Sequence, residues 1–263
     1  MTNSNHDDPF GLPPLKEPHE DITNQDGARY YHRLTQGSEE WHDLRRGLIT
    51  ASTMNLILTP TLKLAANNTT RTLLYELAAQ RITGKTEIGF VSYDMERGKL
   101  AEVDAREVYS KNIADVSECG FVVTETTEGA TVGYSPDGLV GMDGQIEIKS
   151  RLPKYQVKTI VEHMAAGVKA DTVIPPEFML QVQAGLFVTG RIWCDFVTHS
   201  NGFNMAVIRC HPLHDYQEAI AKAVTAAEEQ IQRIVREYQA ITADKNATIW
   251  PVDWVDYHEE ITV

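Results

Sequence analysis

The chain has 263 residues and a mass of 29.5 kDa, which is enough for a domain with a substantial buried core. Hydrophobic residues make up 42% and charged residues 23%, and this ordinary globular composition excludes a disordered chain, a collagen-like repeat and a coiled-coil rod. The net charge of -13 argues against a partner held by a general basic field. Acidic residues concentrate in residues 1–28 and 244–263, so the segment between them has room for a local basic channel.

The cysteine pattern and the N-terminus indicate a reducing compartment. The three cysteines, Cys119, Cys194 and Cys210, are odd in number and far apart, which argues against a disulfide framework. The first residues contain neither a basic nor an apolar signal-peptide region, and no run approaches the roughly 18 apolar residues of a membrane span. We therefore expect a cytoplasmic protein that makes no membrane contact.

The N-terminal part of the chain predicts an arm followed by helices. Residues 1–28 are rich in Pro, Asn, Asp and Gly and lack periodicity, so we expect a loose arm ahead of a single domain over 29–263. Ser38 can cap a short helix, and a second helix begins near Thr50 or Ser52. Apolar spacing predicts further helices over 69–83 and 94–110. The later of these is expected to turn three apolar side chains inward: Leu100, Val103 and Val108.

The hydrophobic period then changes from helical to alternating. Short β-rich runs between Gly and Asp turns predict strands over 116–124, 130–135, 145–149, 191–198 and 203–210. The dipeptide Asn201-Gly202 predicts a hairpin turn between the last two strands. Helices are predicted from Pro175 to Thr189 and over 212–240. This order predicts an α/β chain of the α+β type, with a central mixed β-sheet flanked by helices.

The most informative segment runs from Ser135-Pro136-Asp137-Gly138 to Gln145-Ile146-Glu147-Ile148-Lys149. Alternate residues of a strand share a face, so Glu147 and Lys149 point together, and Asp137 can reach them from the preceding turn. Two carboxylates and an ammonium group form a minimal set for metal-assisted hydrolysis of a phosphodiester. On spacing alone, an exposed salt bridge is the commoner meaning of an acid and a lysine two residues apart.

A second informative segment runs from Trp41 to Ser52. Trp41 and Arg45 are four residues apart and share a helix face, and Thr50 or Ser52 begins the next helix. An arginine beside a hydroxyl at a helix N-terminus is typical of a phosphate pocket. A packing tryptophan and an N-cap serine would produce the same pattern.

Two further polar residues can be interpreted in either of two ways from their local sequence. Glu102 is either a solvated helix residue or part of a site. Gln181 lies in an otherwise apolar helix, where its amide needs a hydrogen-bond partner. That partner is either structural or a catalytic lysine or water.

These motifs together resemble the YqaJ-type viral recombinase family, the family of phage lambda exonuclease, within the PD-(D/E)-x-K nuclease superfamily. Five matches occur in order over residues 37–190: Glu40 to Ser52, Gly98 to Tyr109, Ser135-Pro136-Asp137-Gly138, Glu147-Ile148-Lys149 and Gln181-Val182-Gln183. The resemblance implies a restriction-endonuclease-like nuclease core. Residues 1–36 and most of 200–263 lie outside it.

The resemblance also implies roles for single residues. The expected ligands of two Mg²⁺ ions, for which Mn²⁺ would substitute, are Asp137, Glu147, Glu102 and the carbonyl group of Ile148. Lys149 would activate or orient water, and Gln181 would support it. The expected 5′-phosphate-binding residues are Arg45, Ser52 and Trp41. Further DNA contacts are expected from Ser135 and from an apolar wedge in residues 90–95, with Met95 the favoured residue.

The resulting hypothesis is a Mg²⁺-dependent 5′→3′ exonuclease that digests one strand of linear duplex DNA and leaves a 3′ overhang for recombination by strand annealing. The implied partners are DNA ends, two more copies of the chain in a ring-shaped homotrimer, and a single-strand annealing protein. A structure-selective or restriction-type endonuclease is the alternative. A catalytically inactive binding module is disfavoured by the complete set of acids and lysine. An iron–sulfur nuclease is disfavoured because three separated cysteines are too few.

Overall fold

The computed structural model describes residues 12, 22–25, 27–86, 93–164, 169 and 173–255. Its strands are β1 (Ile22–Gln25), β2 (Ala28–Tyr31), β3 (Ile49–Thr50), β4 (Phe121–Glu125), β5 (Thr131–Tyr134), β6 (Gly138–Val140), β7 (Gly144–Ser150), β8 (Trp193–His199) and β9 (Ala206–Cys210). Its helices are α1 (Glu39–Arg45), α2 (Met54–Ile57), α3 (Asn68–Thr83), α4 (Tyr93–Asn112), α5 (Pro153–His163), α6 (Pro176–Thr189) and α7 (His214–Ala243), and a 3₁₀ turn at Ala51–Thr53 precedes α2.

The strands form two mixed sheets. The first has the order β1-β2-β4-β5-β3, with β3 parallel to β5 and the other neighbours antiparallel. The second has the order β6-β7-β8-β9, with β7 parallel to β8 and the other neighbours antiparallel. The predicted mixed α+β architecture is confirmed, but the sheet is divided in two. The chain passes between the sheets at Ser135–Asp137, where Pro136 cannot donate a backbone hydrogen bond to a ladder.

Helix α6 occupies the interior between these sheets. It contacts β4 and β5 of the first sheet, β8 of the second, and helix α7. Nine of its residues are buried, which explains its almost continuous apolar sequence. The helix begins at Pro176 and ends at Gly190, which adopts a left-handed conformation with φ 68°. The packing of its apolar neighbours therefore fixes the position of Gln181 between the two sheets.

Two local predictions, the cap of α1 and the turn between β8 and β9, are confirmed. Ser38 caps α1 by accepting a hydrogen bond from the backbone N–H of Trp41. Gly202 adopts a left-handed conformation in the predicted hairpin turn between β8 and β9. The prediction of a loose arm over residues 1–28 is wrong for Ile22–Gln25, which forms the edge strand of the first sheet by pairing with β2. In the described part of the chain, no helix combines the length and the apolar character needed to cross a membrane.

The predicted orientation of α4 is wrong. Leu100, Val103 and Val108 are 73%, 50% and 42% exposed, whereas Ala105 and Tyr109 are fully buried. Tyr109 donates a hydrogen bond of 2.6 Å to Asp195 on β8, and this buried polar contact sets the inward face of the helix. Residues three and four apart share a helix face, so Glu102 lies on the same side as Ala105 and Tyr109. The correction therefore turns Glu102 toward the second sheet.

Candidate functional site

Glu147 and Lys149 share one face of β7, as the alternation predicts. The Nζ atom of Lys149 lies 2.7 Å from the Oε1 atom of Glu147. Ile146 and Ile148 point to the opposite face and are 0% and 1% exposed. Burial of the two isoleucines therefore fixes the register that brings the acid and the lysine together.

The carboxylate of Glu147 is buried and held from three sides. The amide of Gln181 donates to Oε1 at 2.6 Å, and the hydroxyl group of Tyr134 donates to Oε2 at 2.6 Å. Lys149 supplies the third contact. Both interpretations of Gln181 apply to this contact. The hydrogen bond to Glu147 satisfies the amide of Gln181, and it is made to the same oxygen atom that Lys149 contacts. Tyr134 was missed by the sequence reasoning, although its position directly before Ser135-Pro136-Asp137 is a usable signal.

Asp137 reaches the same site from the turn after β5. Its Oδ2 atom accepts a hydrogen bond of 2.6 Å from the backbone N–H of Ile148, which lies between Glu147 and Lys149. Burial and the charge of Glu147 raise the pKa of Asp137 well above its usual range, and Lys149 partly opposes them. The charge of Glu102 adds to the increase in pKa, so α4 brings a third carboxylate into the electrostatic field of the site.

Lys149 is the positive group in this acidic site. Burial acts to lower its pKa, but the carboxylates of Glu147 and Asp137 outweigh burial and raise the pKa above its ordinary value. The side chain is thus held as an ammonium group beside Glu147. In this state it donates hydrogen bonds and supplies positive charge to the site.

The donor set suits a hard divalent cation. Repulsion between these crowded carboxylates favours their protonation, and a cation placed between them would remove that repulsion. Carboxylate and carbonyl oxygens are the ligands that Mg²⁺ takes. Within the described ranges, no group of three or more His, Cys, Asp or Glu side chains is already arranged as a metal site. Magnesium sites commonly use one or two carboxylates and keep several waters, so this arrangement is compatible with the ion.

A cationic pocket lies beside the carboxylates. The guanidinium group of Arg45 stacks 4.1 Å from the ring centroid of Trp41, and its Nη1 atom donates to the hydroxyl group of Ser135 at 3.1 Å. The indole of Trp41 donates to the same hydroxyl group at 2.9 Å. Among the described residues, no carboxylate forms an ion pair with Arg45, and burial lowers its pKa to about 10. A partly buried cation whose hydrogen-bond partners are neutral is a favourable site for an anion.

Ser52 lies at the same edge of the first sheet. It follows β3, which is parallel to β5, and Ser135 follows β5, so both serines emerge from the carboxyl ends of paired strands. The Ser52 side chain is exposed, and its hydroxyl group lies 3.1 Å from that of Thr50. The topology thus places Ser52 at the same sheet edge as Ser135, which contacts Arg45 and Trp41.

Only residues 93–95 of the predicted wedge lie within the described part of the chain. Residues 87–92 lie outside the described residues, and Met95 lies in the first turn of α4, which begins at Tyr93. The last three residues of the predicted wedge, 93–95, therefore belong to helix α4.

A cavity of about 490 Å³ opens next to Asp137. Its walls include residues 32–36, which precede α1, and Arg106 on α4. The side chain of Gln36 donates to the carbonyl groups of Pro136 at 3.0 Å and Cys119 at 3.4 Å. Gln36 therefore braces the turn that carries Asp137, a contact that no local sequence pattern signals. The cavity leaves space for a substrate beside the carboxylates.

Tyr134→Phe is expected to lower the cleavage rate about tenfold without unfolding the protein. It removes one hydrogen bond to the charged carboxylate of Glu147, and such bonds contribute roughly 1.5–3 kcal/mol. Single-turnover digestion of linear DNA measures the effect. Tyr30→Phe is the matched control, since it removes a buried hydrogen bond of the same length, from Tyr30 to Thr189, away from the site. Equal losses in both variants would contradict a specific role for Tyr134.

Solved structures share this architecture. An alkaline exonuclease from Laribacter hongkongensis is 28% identical, with a TM-score of 0.64, and the match covers 78% of this chain and 98% of that one. The same enzyme in complex with dAMP is 29% identical over the same shares, with a TM-score of 0.65. A phage-related exonuclease from Haemophilus somnus is 11% identical, covers 73% of this chain and 96% of its own, has a TM-score of 0.50, and supports the fold alone. No curated protein matched the chain.

The family model of the YqaJ-like viral recombinase domain matches residues 40–192. This range covers more than half of the chain and contains every predicted site residue, from Trp41 to Gln181. The resemblance inferred from the motifs is thereby confirmed, and the chain belongs to the YqaJ-like viral recombinase domain family.

Proposed function

We propose that this protein is a DNA nuclease of phage-type recombination, a Mg²⁺-dependent exonuclease that digests the 5′-ended strand of linear duplex DNA and leaves a 3′ overhang. One observation carries the proposal. Ser135 contacts Arg45 and Trp41 of the cationic pocket. Asp137, two residues later in the same segment, forms the carboxylate pair with Glu147. Two residues span at most about 7 Å, so an anion held by Arg45 would lie close to Asp137.

The solved relatives support the class of reaction. Two of the similar structures are of an alkaline exonuclease, and one of these is a complex with dAMP. The identity of 28–29% and the nearly complete coverage of that enzyme make it a relevant comparison. The family domain associates the present chain with viral recombination.

The carboxylates of Asp137, Glu147 and Glu102, with the carbonyl group of Ile148, are the groups that would hold two Mg²⁺ ions, with Mn²⁺ as a substitute. Bound ions at this place supply a lower pKa for water and neutralise charge at the scissile phosphate. Gln181 and Tyr134 hold the carboxylate of Glu147 in one orientation. Lys149 would activate or orient the attacking water, and its positive charge would stabilise negative charge on the phosphate oxygens.

The cationic pocket supports the proposed direction of digestion. Arg45 offers a charged, planar donor group, Trp41 and Ser135 contact it with an indole and a hydroxyl group, and Ser52 lies at the same edge of the sheet. A terminal 5′-phosphate carries more negative charge than an internal phosphodiester, so this pocket favours a strand that ends in a 5′-phosphate. An endonuclease has no use for such a pocket.

The family resemblance supports the proposed assembly and partner. A ring-shaped homotrimer would surround the duplex, and a positive inner surface would reconcile DNA binding with a net charge of -13. The 3′ strand left by digestion is a substrate for a single-strand annealing protein.

Digestion of three DNA substrates in Mg²⁺ tests the proposal: a linear duplex with 5′-phosphates, the same duplex with 5′-hydroxyl groups, and a covalently closed circle. We expect rapid loss of the phosphorylated linear DNA, slower loss of the hydroxylated form, an intact circle, and no cleavage in EDTA. A circle that is cut as fast as the linear DNA would favour the endonuclease alternative. No cleavage in either Mg²⁺ or Mn²⁺ would favour a binding module.

A further inference from the structure

The turn at Gly47 lies between Arg45 and Ser52, two of the proposed 5′-phosphate-binding residues. It follows Arg45 by two residues and precedes Ser52 by five, and its φ of 69° is a left-handed conformation. Both backbone polar groups of Gly47 are bound by helix α3. The Oε1 atom of Gln80 accepts from the N–H of Gly47 at 2.8 Å, and Arg81 donates to its carbonyl group from Nε at 2.9 Å and from Nη2 at 2.7 Å.

Arg81 is itself fixed by helix α7. Its Nη1 and Nη2 atoms donate to the two carboxylate oxygens of Glu228, each at 2.7 Å. The side chains of Arg81 and Glu228 are 0% and 7% exposed, and Gln232 donates to Glu228 at 2.9 Å. A Cβ atom at residue 47 would lie 2.5 Å from the Cγ atom of Arg81, so the turn and the arginine are in direct contact.

Stability alone is a weak explanation for this buried ion pair. The free energy needed to remove two charges from water offsets much of the free energy of their attraction, and well-packed apolar residues in the same place often stabilise a protein equally well. Apolar side chains could not, however, bind the carbonyl group of Gly47. The planar guanidinium group of Arg81 binds that carbonyl group and Glu228 at the same time. The position of the Gly47 turn is therefore coupled to the position of helix α7.

We infer that Gln80, Arg81 and Glu228, here called the Gly47 clamp, are positioning residues for recognition of the 5′-phosphate. The clamp sets the place of Arg45 relative to Ser52 by holding the turn between them. It touches neither the carboxylates nor the substrate, so it acts on phosphate recognition rather than on bond cleavage. The inference rests on the proposed function, because it assigns a role within the same pocket.

Gln80→Ala tests the clamp with little risk to folding, since Gln80 is only partly buried. We expect the ratio of kcat/KM on 5′-phosphorylated to 5′-hydroxyl ends to fall about fivefold, through a higher KM for the phosphorylated end. The saturated kcat and the thermal midpoint should stay near wild type. Gln80→Glu, which keeps an acceptor for the Gly47 N–H, should restore the ratio. Glu76→Ala is the control, since Glu76 contacts Gln80 but not Gly47.

Arg81→Lys provides a second measurement. It keeps a positive charge near Glu228 but loses the planar fork, so we expect about a tenfold fall in the same ratio, measured below the lowered thermal midpoint. A wild-type ratio in folded Gln80→Ala and Arg81→Lys would overturn the clamp while the proposed function stands. A wild-type enzyme that does not distinguish the two ends would overturn 5′-phosphate recognition itself.

Discussion

Lys149→Ala is expected to slow cleavage of linear duplex DNA by about 100- to 10,000-fold, the range that a positioned proton-transfer or charge-stabilising group contributes. The ammonium group lies 2.7 Å from Glu147, and the neighbouring carboxylates keep it charged. Its loss removes the donor that orients water without removing the groups that bind the DNA end. Single-turnover digestion of a 5′-phosphorylated duplex gives the rate, and fluorescence anisotropy without Mg²⁺ gives the affinity for DNA.

Lys222→Ala is the matched control for this prediction, since Lys222 is exposed on α7 and pairs with Glu218 away from the site. We expect it to leave both rate and affinity unchanged. Lys149→Ala also leaves Glu147 with fewer partners, so its thermal midpoint should fall, and the assay temperature must lie well below it. Wild-type turnover in a folded Lys149→Ala variant would reduce Lys149 to a structural ion pair.

Arg45→Met is expected to abolish the preference for a 5′-phosphate. The charged donor group contributes roughly 1.5–3 kcal/mol to an anion contact, so kcat/KM on phosphorylated ends should fall about 10- to 100-fold. Digestion from 5′-hydroxyl ends should change little. The thermal midpoint should stay level or rise, because burial already disfavours the charged form of Arg45, as its pKa of about 10 indicates. Parallel digestion and thermal unfolding measure the two effects.

The control for the arginine is Arg233→Met, which removes an exposed charge on α7. Arg45→Lys adds a graded comparison, because it keeps the charge but cannot stack on Trp41 and donate to Ser135 in the same planar geometry. Equal losses on phosphorylated and hydroxyl ends in Arg45→Met would show that Arg45 acts on DNA binding in general and not on the terminal phosphate.

Local patterns were enough to predict how strand β7 presents Glu147 and Lys149. The alternation in Gln145–Lys149 places Glu147 and Lys149 on one face whatever the rest of the chain does, since the period of a strand is two. The start of α6 at Pro176 is equally local, because proline has a helical φ and needs no hydrogen bond at the first turn. Five motifs in order then led to the family, which the domain match confirms.

Helix α4 shows where local patterns fail. Counting apolar residues selects Leu100, Val103 and Val108 as the inward face, yet these side chains are exposed. The buried face is decided by Tyr109 and its hydrogen bond to Asp195, two residues that are 86 positions apart. A long-range polar contact thus outweighed the local apolar count, and it also set the direction of Glu102.

By itself, the sequence determined which residues are candidates for the proposed chemistry and which local elements hold them: an acid and a lysine on one strand face, an aspartate in a proline-containing turn, and an arginine four residues from a tryptophan. The tertiary structure alone decided how these groups are supported. Tyr134 and Gln181 hold Glu147, Gln36 braces Pro136, and Arg81 reaches Gly47 across 34 positions. Such contacts depend on how distant elements pack, so no local period encodes them, whereas the period of a strand or a helix follows from backbone geometry within a few residues.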